Sequence, residues 1–175
     1  TVEYNITTVV NTHDMNSVME IGEKIIFLKQ GLLAWEGTKK EIFKTSGGKY
    51  VAPQLVENKL KESAFIEQCM VVGEGQKFPS ALIIPEFAAL VVWCKQHGIP
   101  VGTPEELINN KDVFRKLEEE VMSTMGSVAK YEQVKKFVLL PRLFTVQDGE
   151  ITPTLKLKRK AIYAKHEKAI LALYE

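Results

Sequence analysis

Long apolar runs are absent from this 175-residue chain, and cysteine is scarce. The longest nearly uninterrupted apolar stretch, residues 87–94, is too short to cross a bilayer and is typical of a core element, so no transmembrane segment is predicted. The two cysteines, Cys69 and Cys94, form no CxxC motif, and the sequence therefore predicts neither a metal site nor a disulfide framework. We expect both to be small buried residues in a reducing compartment.

An excess of one charge and a targeting signal are also absent. The net charge is +1, so no overall field draws the protein toward nucleic acid or an anionic membrane, and no nucleic-acid partner is predicted. The opening residues, TVEY, have neither the basic segment nor the apolar core of a signal peptide. Because the first residue is not Met, we expect an incomplete start. These features predict a cytoplasmic protein.

Short apolar runs and helical periodicities are what the chain does contain. An uncharged, β-branched run at residues 6–12 predicts a buried strand. Asp14 and Gly22 are suited to cap and to end a short helix between them. Two apolar runs flanking Gln30 and Gly31 predict a β-hairpin, with a break in the pattern after it at residues 36–38.

The rest of the chain predicts alternating strands and helices. Pro53 suits the first turn of a helix, and the cations of residues 158–174 lie on an amphipathic helix. We predict further strands at residues 69–73, 81–84 and 136–140, a helix at residues 87–96, and a charged helix with the buried stripe Phe114, Leu117, Val121 and Met125. This order predicts an α+β fold, with a small, mostly antiparallel sheet flanked by helices.

A first string suited to chemistry is KTSGGKY, at residues 44–50. Its hydroxyls, paired glycines and flanking lysines suit a backbone that approaches an anionic ligand, which makes Ser46, Gly47, Gly48 and Lys49 candidate binding residues. The string is not a Walker A loop. Taken alone, it is more typical of a solvated turn.

A second string, TPTLKLKR at residues 152–159, presents several cations in alternation with apolar residues after a rigid turn. A cation held there could stabilise charge on a phosphoryl group. Taken alone, this string is more typical of a solvated basic strand edge.

Together the two strings resemble those of AMP-forming long-chain acyl-CoA synthetases. Residues 39–53, KKEIFKTSGGKYVAP, are similar to the motif beside the interdomain hinge of that family, and residues 152–159 resemble its late motif. The order, the separation and the intervening helix–strand pattern also agree. The resemblance therefore covers residues 39–175.

The resemblance implies the C-terminal lid domain of a ligase with two steps. A fatty acid and ATP, which carries Mg²⁺, first give acyl-adenylate and pyrophosphate, and the thiol of coenzyme A then displaces AMP. The lid rotates over a large N-terminal domain between the steps. Lys156 matches the adenylation lysine, residues 46–49 border the thiol path, and Glu57 resembles a recurring acid that we interpret as structural.

The chain departs from the family at the hinge. The family has Thr-Asp-Arg before Lys-Lys-Glu, whereas this chain has Glu36, Gly37 and Thr38, so the hinge Asp and the Arg that contacts the ribose of ATP are missing. The phosphate loop, the adenine pocket and the fatty-acid tunnel are missing as well. We therefore predict that the chain alone is inactive and binds neither ATP nor coenzyme A, and that its partner is a missing N-terminal domain.

The first 38 residues resemble part of another family, the ABC-transporter ATPases. Residues 5–14, NITTVVNTHD, are similar to the strand and switch histidine of these proteins, and residues 20–38 resemble the next helix end and hairpin. The histidine, here His13, contacts the γ-phosphate and orients the attacking water in that family. Its Walker A, signature and Walker B motifs are missing here. We predict a chimera of two pieces, residues 1–38 and 39–175.

Three functional hypotheses stay open. The leading one is the lid of a long-chain fatty acid–CoA ligase, cytoplasmic or peripheral to the membrane in the full enzyme. The first alternative is the tail of an ABC-transporter ATPase fused to a binding or regulatory module. The second is a non-catalytic fragment. An adenylate-forming domain encoded upstream of Thr1 would favour the ligase, whereas a Walker A motif there would favour the ATPase.

Overall fold

The computed structural model describes residues 9–29 and 31–175, without the side chains of Lys29 and Ala34. These residues fall into two compact units that divide between Glu41 and Ile42.

The first unit contains one short helix, α1 (Met15–Ile21). The carboxylate of Asp14 accepts hydrogen bonds from the backbone N–H groups of Asn16 at 3.1 Å and Ser17 at 3.2 Å. These bonds satisfy donors that have no partner in the first turn of a helix. Gly22 lies at the other end, so both predicted boundaries are confirmed.

The predicted N-terminal strand lies partly outside the described residues, which exclude positions 6–8. Residues 9–12 form no strand, and Val9 and Val10 are exposed, so the prediction is wrong for this part. No described strand pairs with them. A strand without a neighbour leaves its backbone N–H and C=O groups to water, and apolar side chains alone do not hold it in place.

A β-hairpin completes the first unit, as predicted. Strand β1 (Lys24–Lys29) pairs antiparallel with β2 (Leu32–Thr38), and the buried Trp35 ring lies 5.3 Å from that of Phe27. The predicted break after Trp35 is wrong, because β2 continues to Thr38. Pairing with β1 overrides the low strand propensity of Gly37.

A single 3₁₀ turn, Lys39–Glu41, precedes the second unit, which begins with a small hairpin. Strand β3 (Phe43–Lys44) pairs antiparallel with β4 (Tyr50–Val51), and the predicted glycine loop connects them. Helix α2 (Pro53–Leu60) follows with Pro53 in its first turn, as predicted. The loop is thus anchored on both sides by regular structure.

The main sheet of the second unit has three strands in the order β5 (Ile66–Val72), β6 (Ser80–Pro85) and β7 (Lys136–Leu139). Strands β5 and β6 are antiparallel, while β6 and β7 are parallel. The connection between β6 and β7 contains three helices, and a fourth follows β7: α3 (Phe87–Gln96), α4 (Pro104–Ile108), α5 (Lys111–Met125) and α6 (Arg159–Ala172). The α+β class with mostly antiparallel pairing is confirmed.

Both faces of this sheet are buried. Alternate residues of a strand point to opposite faces, and the two sets belong to separate clusters. Cys69, Val71 and Ile83 lie in the cluster with residues of α2, α3 and α5, whereas Met70 and Leu82 lie in the cluster with residues of α6. Helix α6 therefore covers the face opposite the other helices.

Helix α5 buries a stripe that differs in one member from the prediction. The buried residues are Val113, Leu117, Val121 and Met125, which follow one another at intervals of four. Phe114 is 39% exposed and stacks on Phe137 with ring centroids 4.8 Å apart. Val113 takes the buried position on the stripe, and Phe114 lies at its border.

Candidate functional site

Lys156 ends a tight turn that comes shortly before α6. The N–H of Thr152 donates to the carbonyl of Lys156 at 2.8 Å, and the N–H of Lys156 donates to Oγ1 of Thr152 at 3.0 Å. These bonds fix the backbone. The Lys156 side chain is exposed and forms no ion pair among the described residues. The turn thus offers an accessible ammonium group from a constrained backbone.

Leu155, in the same turn, has a φ of +61°, the only positive φ of a described residue other than glycine. This conformation costs a side-chain-bearing residue roughly 1–2 kcal/mol and persists where surrounding contacts determine it. The N–H of Leu155 donates to the carbonyl of Thr152 at 2.8 Å, while its side chain is 76% exposed. The sequence did not reveal this strain, because neither Gly nor Asn marks the position.

Glu150 holds the other side of the turn. Its backbone carbonyl accepts the N–H of Lys158 at 2.7 Å, and its buried carboxylate accepts a hydrogen bond from Lys165 at 2.7 Å. Ile151 and Leu157 form a β-bridge between these points. The Lys156 turn is therefore closed at its base.

The glycine loop has its own hydrogen-bond frame. The N–H of Thr45 donates to the carbonyl of Lys49, and the N–H of Gly48 donates to the carbonyl of Thr45, both at 2.9 Å. Gly48 has a φ of +78°, which favours glycine. Ser46, Gly47, Gly48 and Lys49 are exposed, whereas Thr45 is buried. The predicted loop is confirmed, and the role of its four exposed residues stays a prediction.

Gln76 in the β5–β6 turn also supports this loop, since its carbonyl accepts the N–H of Ser46 at 2.9 Å. The Lys49 ammonium lies 5.9 Å from the centre of the Tyr131 ring. No hydrogen bond or ion pair between described residues joins this loop directly to the Lys156 turn. Any connection between the two strings is therefore indirect.

An ion pair with a buried carboxylate supplies such a connection. Both Nη atoms of Arg159, the first residue of α6, donate to the carboxylate of Glu57 in α2 at 2.7 Å. The Glu57 side chain is 5% exposed, which agrees with its interpretation as a structural residue. The sequence held one signal for the pair. Glu57 lies between Pro53 and Leu60 on the buried stripe of α2, and an acid in such a position requires a partner.

His13, the predicted switch histidine, lies in the first unit at a bend before α1. Its side chain is exposed. The hydrogen bonds from Ser17 and Asn16 chiefly lower the pKa of Asp14, and the charge of His13 contributes least. The role of His13 stays a prediction.

The two cysteines are buried and free, as predicted. Burial first, and then the neighbouring Glu57, raise the pKa of the Cys69 thiol to about 12, and burial raises the pKa of Cys94. Thiols with raised pKa values are poor nucleophiles at neutral pH. Within residues 9–29 and 31–175, no three His, Cys, Asp or Glu side chains are grouped so that they could hold a metal ion.

None of the helices in the described part of the chain is both long enough and apolar enough to cross a membrane.

The profile of the family described as "AMP-binding enzyme C-terminal domain" matches residues 40–175. The chain belongs to this family. The match covers both candidate strings, the Glu57–Arg159 pair and the complete three-stranded sheet. It confirms the predicted adenylate-forming relationship.

Two curated relatives support this assignment, and one solved structure has the same fold. The chain is 35% identical over 147 residues to long-chain-fatty-acid–CoA ligase FadD15 of Mycobacterium tuberculosis, covering 83% of this chain and 24% of that protein. It is 32% identical over 164 residues to human long-chain-fatty-acid–CoA ligase 6, covering 92% of this chain and 23% of that protein. The adenylation domain of the carboxylate reductase from Mycobacterium chelonae has the same fold, with a TM-score of 0.66 at 19% identity, over 81% of this chain and 20% of that one.

Both curated relatives are long-chain fatty acid–CoA ligases. The chain spans about a quarter of the length of these ligases. The match to human ligase 6 covers 92% of the chain, which is more than the second unit alone contains. Similarity to ligases therefore extends upstream of Ile42 into the first unit.

Proposed function

We propose that this chain supplies the lid of a long-chain fatty acid–CoA ligase, and that Lys156 acts in the adenylation step. The observation that carries the proposal is the constrained turn that presents the exposed Lys156 side chain within a domain of this family. A preorganised cation stabilises developing charge without reorganising during the reaction.

The chemistry of the full enzyme has two displacements. A carboxylate oxygen of the fatty acid attacks the α-phosphorus of ATP, which carries Mg²⁺, and pyrophosphate leaves. The sulfur of coenzyme A then attacks the acyl carbon, the thiol proton passes to solvent, and AMP leaves. Lys156 neutralises charge shared by the carboxylate and the α-phosphate in the first displacement. A group that serves one step must approach and retreat, which a rotating lid provides.

The glycine loop serves the second displacement in this proposal. Ser46, Gly47, Gly48 and Lys49 form an exposed edge that borders the path of the coenzyme A arm. An added Cβ at Gly47 meets no atom within 4 Å, and at Gly48 it meets only the Lys44 side chain at 3.9 Å. The surface is therefore open to a ligand that passes close to the backbone.

The chief partner is an N-terminal adenylate-forming domain, which supplies the adenine pocket, the phosphate loop and the fatty-acid tunnel. We propose a cytoplasmic location, or a peripheral one at a membrane, for the complete enzyme. The isolated chain neither makes acyl-CoA nor hydrolyses ATP. A coupled assay of acid-dependent AMP release tests this, and release above that of a heat-denatured sample would contradict it.

The positive test is a fusion of residues 39–175 to the N-terminal domain of a related long-chain fatty acid–CoA ligase. The fusion carries Asp and Arg at positions 37 and 38, and its preceding strand comes from the donor ligase. That strand must change with them, because a Cβ at Gly37 would lie 2.3 Å from the Trp35 ring. Acyl-adenylate formation is expected. A folded fusion that lacks it would contradict the lid assignment.

We further propose that residues 1–38 derive from an ABC-transporter ATPase and make the chain a chimera. The predicted order of a helix capped by Asp14 and a following hairpin supports this origin. The alignment to human ligase 6, which reaches into the first unit, counts against it. His13 then has no catalytic role in this chain, since the Walker A, signature and Walker B motifs of that family are missing from it. Sequencing the gene upstream of Thr1 tests the origin, because an uninterrupted adenylate-forming domain there would contradict it.

A further inference from the structure

The Glu57–Arg159 pair is built into an edge of the main sheet. Strand β5 pairs with β6 on one side only, so its other side exposes backbone groups. The Glu57 carboxylate accepts the N–H of Val71 at 2.8 Å, and Arg159 Nη1 donates to the Val71 carbonyl at 3.4 Å. The pair therefore satisfies both backbone groups of Val71, which α2 and α6 would otherwise bury without partners.

The position of Arg159 runs against the electrostatics of its own helix. Arg159 is the first residue of α6, where the helix dipole disfavours a cation. The first turn of α6 contains no acid, and Lys158 provides no side-chain cap. The carboxylate of Glu57 supplies the negative charge from another element. Helix α6 is therefore fixed at this end through α2.

Each partner lies next to one of the candidate loops. Glu57 is in the helix that follows the glycine loop and β4, and Arg159 comes three residues after Lys156. The base of the Lys156 turn is closed by the hydrogen bond from the N–H of Lys158 to the Glu150 carbonyl. The turn therefore has little freedom to shift along the sheet while both attachments persist.

We infer that Glu57 and Arg159 form a positioning pair that sets the place of the Lys156 turn relative to the glycine loop. Neither residue needs to contact substrate for this role. The bidentate contact fixes both distance and orientation, because the guanidinium and carboxylate planes must align. The two loops then move as one rigid body when the lid rotates. The importance of this pair for catalysis rests on the proposed role of Lys156. The position of the turn relative to the glycine loop does not depend on that role.

Hydrogen exchange of the complete 175-residue chain tests the placement without catalysis. The measured quantity is the exchange rate of the Thr152 and Lys156 amides divided by that of the Leu82 amide in the sheet. Arg159→Lys keeps the charge and loses the planar fork. We expect it to raise this ratio about tenfold or more, and Glu57→Gln to do the same, because local opening becomes easier than global unfolding.

Glu120→Gln is the matched control, since it removes a partly buried carboxylate that pairs with Lys116 within α5. The ratio should stay at the wild-type value in this variant. A ratio within about twofold of wild type in Arg159→Lys, or an equal rise in the control, overturns the inference. Where Glu57→Gln does not fold, Arg159→Lys decides alone. A positive result together with unimpaired catalysis by Lys156→Ala would refute the role of Lys156 and leave the placement intact.

Discussion

The two units of this chain differ in how their apolar residues are used. In the described part of the first unit, Ile25 and Trp35 are the buried hydrophobic residues, while seven large ones are exposed: Val9, Val10, Ile21, Ile26, Leu28, Leu32 and Leu33. The second unit buries both faces of a sheet under helices. Segments of about 40 residues rarely bury enough surface to fold alone. The comparison teaches that short apolar runs of similar pattern form a stable core only where several helices and strands pack against one another.

The ion pairs show the same contrast. Lys24 and Glu36 pair across the exposed hairpin of the first unit, whereas Arg159 and Glu57 pair in the second unit with the carboxylate almost fully buried. Exposed pairs contribute little because water solvates each ion well. A buried pair contributes little net energy as a pair, but removing one partner leaves an uncompensated charge.

The largest predicted effect is therefore that of Glu57→Ala. It leaves the Val71 N–H and the partly exposed Arg159 guanidinium without their acceptor, and we expect the free energy of unfolding to fall by about 1–3 kcal/mol. Urea denaturation of the full chain measures this. Lys24→Ala is the comparison variant, with an expected change below about 1 kcal/mol. Equal losses in the two variants would contradict the contrast between the units.

Deletion of residues 1–38 is expected to have a small effect. The second unit has its own core, so the shortened protein should retain a cooperative thermal transition, with Tm shifted by less than about 4 °C. Differential scanning calorimetry provides the measurement. Loss of the cooperative transition would show that the first unit belongs to the same folding core.

The smallest effect concerns Glu120 at low pH. Burial raises the pKa of Glu120, but hydrogen bonds from Lys116 and Ser63 outweigh it, so the pKa lies below its ordinary value. A depressed pKa contributes stability that is present above the unfolded value of about 4.3 and is lost as pH falls through the folded pKa. Glu120→Gln should therefore lower stability at pH 7 by less than about 1 kcal/mol and weaken the acid dependence below pH ~4.3.

The control for this titration is Glu119→Gln, which removes an exposed carboxylate next to Glu120 in the same helix. Urea midpoints at pH 7 and at pH ~3 give two values for each variant and two for wild type. If Glu119→Gln changes the pH dependence as strongly as Glu120→Gln, the assignment to the Lys116 and Ser63 contacts is wrong.

Local features of the fold were predictable from the sequence where local physics decides. The bounds of α3, the cap at Asp14 and the glycine loop follow from periodicity, side-chain capping and φ freedom. The N-terminal strand could not be predicted from local sequence, because a strand forms only where another strand pairs with it. The continuation of β2 through Gly37 has the same cause, since pairing with β1 outweighs propensity.

The two loops of the candidate site were predictable from the sequence, but the ion pair that connects them was not. Both loops stand out by composition, but Glu57 and Arg159 are 102 positions apart, and no periodicity joins residues at that separation. The left-handed conformation of Leu155 was equally hidden, because it accompanies hydrogen bonds that Leu155 and Lys156 make with Thr152, and the residue type does not favour it. Long-range pairs and strained turns thus depend on the assembled structure.

The most direct measurement for the central claim is the half-reaction rate of Lys156→Ala in the fusion of residues 39–175 to a ligase N-terminal domain. Adenylate formation should fall by roughly a hundredfold or more, equivalent to about 3 kcal/mol, while thioester formation from supplied acyl-adenylate stays near the parent rate. Lys160→Ala removes another exposed lysine, from α6, and should leave both rates unchanged. Substitution of Gly48 should slow thioester formation more than adenylate formation. Equal slowing of both half-reactions by Lys156→Ala would contradict the assigned role and make the lysine a general electrostatic or structural residue.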